Sequence, residues 1–401
     1  MANQARRPRT AQLFAKKQKA NYRHVVLACS CAYFVITSFR KQLLPWGPGV
    51  ERLPIKYAAV DHSNTKLQDV QKIYAGDFRL KGPETALFDD DGNLYVLTED
   101  GNLVQLQDFE RDGSIINATA TIVKDLGVGR PLGGRIVGDT LYVCDTLLGL
   151  IRVRDFRNPR SKVELVMSSV EGTPIRFAND VVEGPKTGRV YFTDSTDVAP
   201  DRLLHKSSWD TLYASKVDLM RGKSTGRLLV YDPETDEATV LATGLYFPNG
   251  IGIDDEESNL YFAETFGVNL LKYNLEKSAL SVAVASSELP GYLDGVDCTG
   301  KYCFAVMPSS IVPIHKLVDL VPPFLSPTLR TILLVLPRWA APRVKKFGGV
   351  LQYDTETGET QFLLDPTGKQ VSMLTGVRVR GKKLYLGSLT NTFVAVYDLK
   401  N

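Results

Sequence analysis

The stretch FPNGIGIDDEESNLYF, residues 247–262, decides the fold, because the apolar triplet that ends it is one of six. Leu260-Tyr261-Phe262 recurs as Leu94-Tyr95-Val96, Leu141-Tyr142-Val143, Val190-Tyr191-Phe192, Tyr302-Cys303-Phe304 and Leu384-Tyr385-Leu386. Successive copies lie 47, 49, 70, 42 and 82 residues apart, so three spacings match a propeller blade and two carry insertions. A second alternating run follows each triplet, at Leu103–Leu106, Leu150–Arg154, Arg227–Asp232, Asn269–Leu275, Val350–Asp354 and Phe393–Leu399. Most units add a third, at Thr121–Val123, Val163–Met167, Thr239–Leu241, Val282–Ala285 and Gln361–Leu364. The sixth unit has none before Asn401. Asp69–Tyr74, ahead of the first unit, supplies the missing strand and closes the ring. The expectation is an all-β, six-bladed β-propeller over residues 65–401.

The two insertions differ in character. Residues 197–226 are polar and charged, an expected excursion over one face. Residues 307–347 are apolar and Pro-rich, with basic residues from Lys316 to Lys346. They suit a lid, a membrane-surface contact or a hairpin packed on the side of the ring.

Upstream of the propeller the chemistry changes. The first 50 residues carry +9 and the rest −6, so the positive charge belongs to a tail and nucleic acid is discarded as a partner. Val25–Phe39 is fifteen residues without a charge, preceded by seven of those basic residues. The reading is a basic cytoplasmic tail over 1–24, a signal anchor or transmembrane segment over 25–44 and a linker over 45–64. The domain then lies in the lumen of the endoplasmic reticulum or secretory pathway. A cleaved signal or an organelle transit peptide are the alternatives. Asn117-Ala118-Thr119 is a glycosylation sequon. Cys144 reads as a buried free thiol. Cys298 and Cys303 flank a turn at Gly300-Lys301 that sets them opposite each other, so a disulfide between them is open to an oxidising compartment.

The residue just before each innermost strand points at the propeller axis. Those positions are Glu84 in GPET, Leu132 in GRPLG, Asn179 in FAND, Asn249 in FPNG, Asp294 in YLDG and Thr375 in MLTG. Four of the six offer carboxylate or amide oxygens. Calcium takes six to eight oxygen ligands, so Glu84, Asn179, Asn249 and Asp294 with water form a candidate calcium site. No His or Cys is among them, which argues against zinc. Asn and Asp are also ordinary turn formers, and only their recurrence favours a site.

The strings GPET (82–85), GRPLGGR (129–135), LYVCDTLLGL (141–150), FANDVV (177–182), TGRVYFTDS (187–195), GRLLVYDPET (226–235), GLYFPNGIGI (244–253), LPGYLDGV (289–296) and LYLGSLTNTFVAVYDL (384–399) resemble the strictosidine synthase-like proteins. That family belongs to the calcium-dependent phosphotriesterase superfamily, and several members carry an N-terminal membrane anchor. The resemblance covers residues 65–401 and implies that Glu84, Asn179, Asn249 and Asp294 match the metal ligands of the hydrolytic relatives. Asp294 or Glu84 would then double as base or nucleophile on a small ester or lactone. True strictosidine synthases use a glutamate in the sixth blade where this chain has Thr375, which cannot do carboxylate chemistry. His24, His62, His205 and His315 all lie away from the inner-strand starts, so the histidine pair of the paraoxonases is missing. A hydrolase therefore stands beside a non-catalytic partner-binding propeller and, less favoured, an amine–aldehyde condensing enzyme. Gly222–Gly226 fits G-x-S-x-G, but a charged loop is expected before it and a strand after it, not the strand and helix of a nucleophile elbow. The pairs Asp145-Thr146, Asp194-Ser195 and Glu264-Thr265 read as turn caps.

Overall fold

A computed structural model describes residues 56–201, 209–312 and 344–399, with 329, 330, 333, 334 and 336. The basic tail, the apolar segment over 25–44, the linker before residue 56, most of 307–347 and three of the four histidines lie outside them. The chain separates into two compact units, Met1–Val50 with Val321–Ala341, and Glu51–Leu320 with Pro342–Asn401. In the first, Arg330, Leu333 and Leu334 are buried. No helix among the described residues is long and apolar enough to cross a membrane. Every described strand lies in the second unit.

That unit is all-β and propeller-like. Four sheets have four antiparallel strands each. One holds β6 (Pro131–Val137), β7 (Thr140–Asp145), β8 (Gly149–Val153) and β9 (Glu164–Met167), with a small side ribbon of β10 (Ser169–Val170) and β11 (Thr173–Pro174) after it. The next holds β12 (Ala178–Glu183), β13 (Val190–Asp194), β14 (Gly226–Asp232) and β15 (Glu237–Leu245). Then come β16 (Pro248–Ile253), β17 (Asn259–Glu264), β18 (Asn269–Asn274) and β19 (Ala279–Val284). The fourth holds β20 (Val296–Thr299), β21 (Tyr302–Met307), β22 (Gly348–Asp354) and β23 (Thr360–Asp365).

A fifth sheet has eight strands and contains both ends of the unit. One run of four is β2 (Ala86–Phe88), β3 (Leu94–Leu97), β4 (Asn102–Asp112) and β5 (Ile115–Asp125). The other is β24 (Leu374–Arg380), β25 (Lys383–Ser388), β26 (Val394–Asp398) and β1 (Gln71–Tyr74). As expected, β1 pairs antiparallel with β26, in the register Gln71↔Val396 to Ile73↔Val394. Its other edge pairs in parallel with β5, Lys72↔Ile115 to Tyr74↔Asn117, which the sequence did not suggest. That contact exists because the β4–β5 hairpin is eleven residues on each side, longer than its apolar periodicity indicates.

The recurring triplets occupy the second strand of each run, and nearly all their residues are buried. A strand packed between two neighbouring sheets has no solvent face, so it reads as a continuous apolar run, not an alternating one. Among the described residues, six apolar clusters pack the successive runs against one another. The cluster of Ile73, Leu94 and Val104 with Val394 and Val396 lies between the last run and the first. Ahead of β1, Asn64 donates to Phe362 O and accepts from Leu364 N, so residues before 65 also pack on this unit.

Candidate metal centre and cavity

Asn179 and Asn249 are second residues of innermost strands β12 and β16, and Thr375 and Leu132 hold the same place in β24 and β6. Glu84 and Asp294 sit two residues before β2 and β20. All six are buried, and all six line one cavity of about 350 Å³. The six repeat positions therefore share one space, although Leu132, Asn179, Asn249 and Thr375 lie inside their strands and not just before them.

Glycine explains how. Each of Asn249, Asp294 and Thr375 is followed by Gly, and a Cβ on Gly250 would lie 2.3 Å from Gly295 Cα, on Gly295 2.5 Å from Thr375 O, and on Gly376 2.0 Å from Glu84 O. Neighbouring innermost strands touch backbone to backbone there, and Gly250 N donates to Asp294 O and Gly295 N to Thr375 O. Only residues without a side chain permit that approach.

The oxygens at the cavity floor are short of partners. Glu84 Oε2 is buried with no hydrogen bond. Burial pushes the Glu84 carboxyl up to about 7, with the Asp180 charge adding to the shift and Arg130 and a hydrogen bond from Thr375 opposing it. Asp294 is held well above the ordinary carboxylate range by burial and then by the charges of Glu84 and Asp180, against a hydrogen bond from Asn249. The two asparagines are oriented by hydroxyls. Asn179 Nδ2 donates to Ser195 Oγ at 2.9 Å and Asn249 Nδ2 to Thr265 Oγ1 at 3.2 Å. Each hydroxyl donates on to a backbone carbonyl, Ser195 to Pro248 O and Thr265 to Leu293 O. Committing the amide nitrogens in this way leaves the amide oxygens as the acceptors.

Two roles escaped the sequence reading. Asp180, beside Asn179, is a third axial carboxyl, raised to about 6 by burial and partly restored by Arg378 and by the amides of Ile251 and Val181. Its only signal was an acid next to a candidate ligand. Ser195 and Thr265 were read as parts of turn caps. Asp145 does cap a turn, accepting from Leu147 N and Leu148 N. Asp194 and Glu264 instead accept from Phe177 N and Tyr246 N, 17 and 18 residues earlier in the chain, and the hydroxyls beside them serve the asparagines.

Above the floor the walls are apolar, with Phe177, Phe247, Phe266 and Tyr292 prominent. The polar excursion over 197–226 contains a helix, α1 (Thr211–Arg221), capped by Asp210 accepting from Tyr213 N and ended at Gly222 in the left-handed region. Leu212, Ser215, Lys216 and Leu219 of α1 line the cavity. Thr196 Oγ1 donates to Asp218 at 2.5 Å and Arg221 pairs with Asp197, which tie the helix down. From the second insertion Pro308, Ser309, Val312 and Val344 line the same space.

The remaining expectations fall as follows. Helix α1 precedes Gly222–Gly226 and β14 follows, the reverse order of a nucleophile elbow, although the segment before it is a helix and not the loop expected. Cys298 and Cys303 are paired across β20 and β21 and bonded, while Cys144 is buried and free. Asn117 is exposed on β5, and His62 is exposed away from the cavity. Thr375 is not inert, since it accepts from Leu389 N and meets Glu84. Among the described residues no group of three or more His, Cys, Asp or Glu could hold a metal ion; the set here is two carboxylates and two amides.

Residues 179–278 match the strictosidine synthase family and residues 62–106 the strictosidine synthase-like N-terminal family. The chain is 31% identical over 285 residues to Protein STRICTOSIDINE SYNTHASE-LIKE 3 of Arabidopsis thaliana, covering 68% of this chain and 67% of that protein. It is 29% identical over 362 residues to the adipocyte plasma membrane-associated protein of Rattus norvegicus, covering 84% and 88%. Among solved structures, a gluconolactonase from Xanthomonas campestris aligns with a TM-score of 0.54 at 14% identity, over 89% of this chain and 99% of that one. Regucalcin, a calcium-binding protein from Agrobacterium tumefaciens, aligns at 0.51 and 13%, over 82% and 94%. At these identities the structures speak for the propeller-like fold alone, whereas the sequence relatives settle kinship: the chain belongs to the strictosidine synthase-like family.

Proposed function

We propose that this protein is a calcium-dependent hydrolase of small esters or lactones, built on a six-bladed propeller and tethered to a membrane by its N-terminal segment. The observation that carries the reading is the cavity floor. Two carboxylates and two oriented amides stand there at equivalent places in four repeats, and one carboxylate oxygen is buried without a partner. Two negative charges neutralise a divalent cation, and two amide oxygens add ligands without excess charge, so the residues present fit calcium. The six-blade count takes the eight-stranded sheet as first and last blade, supported by the six separate core clusters. A gluconolactonase and a calcium-binding protein share the architecture, which agrees with this reading.

Bound at the floor, calcium would polarise a carbonyl or phosphoryl oxygen and stabilise the developing oxyanion. Glu84 and Asp294 would hold the ion with Asn179 and Asn249. The same two carboxylates are the groups at the floor able to take a proton from water or attack the substrate, although ligation lowers their basicity. The aromatic walls and α1 exclude water and hold an apolar substrate against the polar floor. Thr375, in the place of the condensing glutamate, offers a hydroxyl and no acid–base carboxyl.

Thermal melts with calcium or chelator test the metal, alongside turnover of aryl esters and lactones. Calcium should raise the melting temperature of the wild type, and Asp294→Ala should remove that rise, since binding only to the folded state stabilises it. An unchanged wild-type melt would sink the metal site. A calcium-dependent melt with no turnover of any ester or lactone would leave the propeller as a partner-binding protein.

The lumenal placement rests on the basic residues ahead of Val25, the exposed sequon at Asn117 and the Cys298–Cys303 bond. In cells a glycosidase-sensitive mobility shift should appear and vanish in Asn117→Gln, with the domain protease-protected in sealed microsomes. Recovery of the domain in the cytosolic supernatant would remove the anchor.

A further inference from the structure

The innermost strands have two ends, and only their starts carry the candidate metal centre. At the finishing ends of β2, β6 and β24 lies a second cavity of about 350 Å³, lined by Arg135, Arg378 and Arg380 with Phe88, Asp89 and Asp90. The three arginines are in very different states. Arg378 is buried and fully engaged: Nη1 donates to Asp297 Oδ1 at 2.7 Å, Nη2 to Gly134 O at 3.2 Å and Nε to Ala86 O at 3.3 Å. The Arg135 guanidinium has only Asp297 Oδ1 at 3.7 Å, and among the described residues it makes no hydrogen bond.

Asp297 hydrogen-bonds one guanidinium group and not the other, with Oδ1 2.7 Å from Arg378 Nη1 but 3.7 Å from Arg135 Nη1. Its Oδ1 is taken by Arg378 and its Oδ2 accepts from Val379 N at 2.8 Å. Burial and the neighbouring Arg378 charge both lower the Arg135 pKa, while Asp297, Glu183 and Asp180 pull it back. Arg380 is exposed, stacks on Phe88 at 4.8 Å and hydrogen-bonds among the lining residues only to Asp89 O, at 3.4 Å. The acids lining the space do not answer these cations. Asp89 is turned into a network with Arg157 at 2.8 Å, Asn93 and Tyr95, and Asp90 is exposed.

We propose that this far mouth binds a phosphate group, free or as a small phosphate monoester, between the forks of Arg135 and Arg380, with Arg378 as the fixed positive floor. A guanidinium fork matches two oxygens of a phosphate, and a dianion answers two cations that the protein leaves without a strong partner. The site is independent of the hydrolase reading, since it shares no lining residue with the first cavity.

The test is calorimetric titration of the full-length chain with inorganic phosphate and with glycerol 3-phosphate. Chelator is present throughout and chloride balances the ionic strength. Wild type should show one saturable site. Arg380→Gln should weaken it about tenfold or more, Arg135→Gln should abolish it, and Arg135→Lys, which keeps the charge and loses the fork, should bind in between. Asp294→Ala should bind as wild type, which separates this site from the metal centre. Tighter binding of the ester assigns a monoester as ligand, and equal or weaker binding assigns free phosphate. The proposal falls if phosphate behaves like chloride, if Arg135→Gln and Arg380→Gln both bind as wild type, or if Asp294→Ala abolishes binding. Because Arg380 is exposed, its variant reports even if Arg135→Gln does not fold.

Discussion

Glu84 illustrates how little of a residue's chemistry is written at its own position. GPET names a carboxylate, but burial and the Asp180 charge, against Arg130 and Thr375, make it a group that keeps its proton to about pH 7. A folded-state pKa above the unfolded one contributes stability that is fully present below the ordinary carboxylate range and is lost as pH rises through about 7. Asp180 and Asp294 are raised too and act in the same direction. In chelator, the melting temperature of the wild type should therefore fall between pH 5 and 8. Glu84→Gln, which resembles the protonated form, should flatten that fall. Calcium needs the ionised carboxylates, so its affinity should rise over the same interval. Equal slopes for wild type and Glu84→Gln in chelator would remove Glu84 from this account.

At the level of elements, the innermost strands matter less for their side chains than for the glycines that let them meet. Asn249-Gly250, Asp294-Gly295 and Thr375-Gly376 each join a site residue to the glycine that brings the next strand into contact. Gly295→Ala would push a Cβ against Thr375 O, a backbone atom that cannot move alone. The cost should be about 1–3 kcal/mol of stability, read from urea unfolding with an unchanged slope, together with a weakened calcium response. A variant as stable as wild type, with normal calcium stabilisation, would show that strand convergence does not depend on this approach. The recurring x-Gly pairs were visible in the sequence. Their meaning was not, because close approach is a relation between strands more than 40 residues apart.

For the whole molecule, closure is the central fact. The strand at Gln71–Tyr74 joins β26 on one edge and β5 on the other, so the first and last runs of four form one sheet. Removing residues 1–50 should leave a soluble folded domain. Removing 1–78 deletes β1 with its buried Ile73 and exposes the edge of β26. That protein should aggregate on size-exclusion chromatography, and equal behaviour of the two truncations would refute closure by this segment.

Taken alone, the sequence determined the repeat, the strands that carry it, the strand that completes the last run and the oxygen-bearing positions at the axis. These are periodic properties: a strand sandwiched between sheets must be apolar on both faces, and that pattern survives in one dimension. The sequence could not announce Asp180 as an axial carboxyl, Ser195 and Thr265 as the groups that orient two amides, or α1 as a wall of the cavity. Nor could it reveal the unequal states of Arg135 and Arg378. Each of these depends on which polar group finds a partner once burial removes water, and partners are assigned by proximity in space, which only the folded chain supplies.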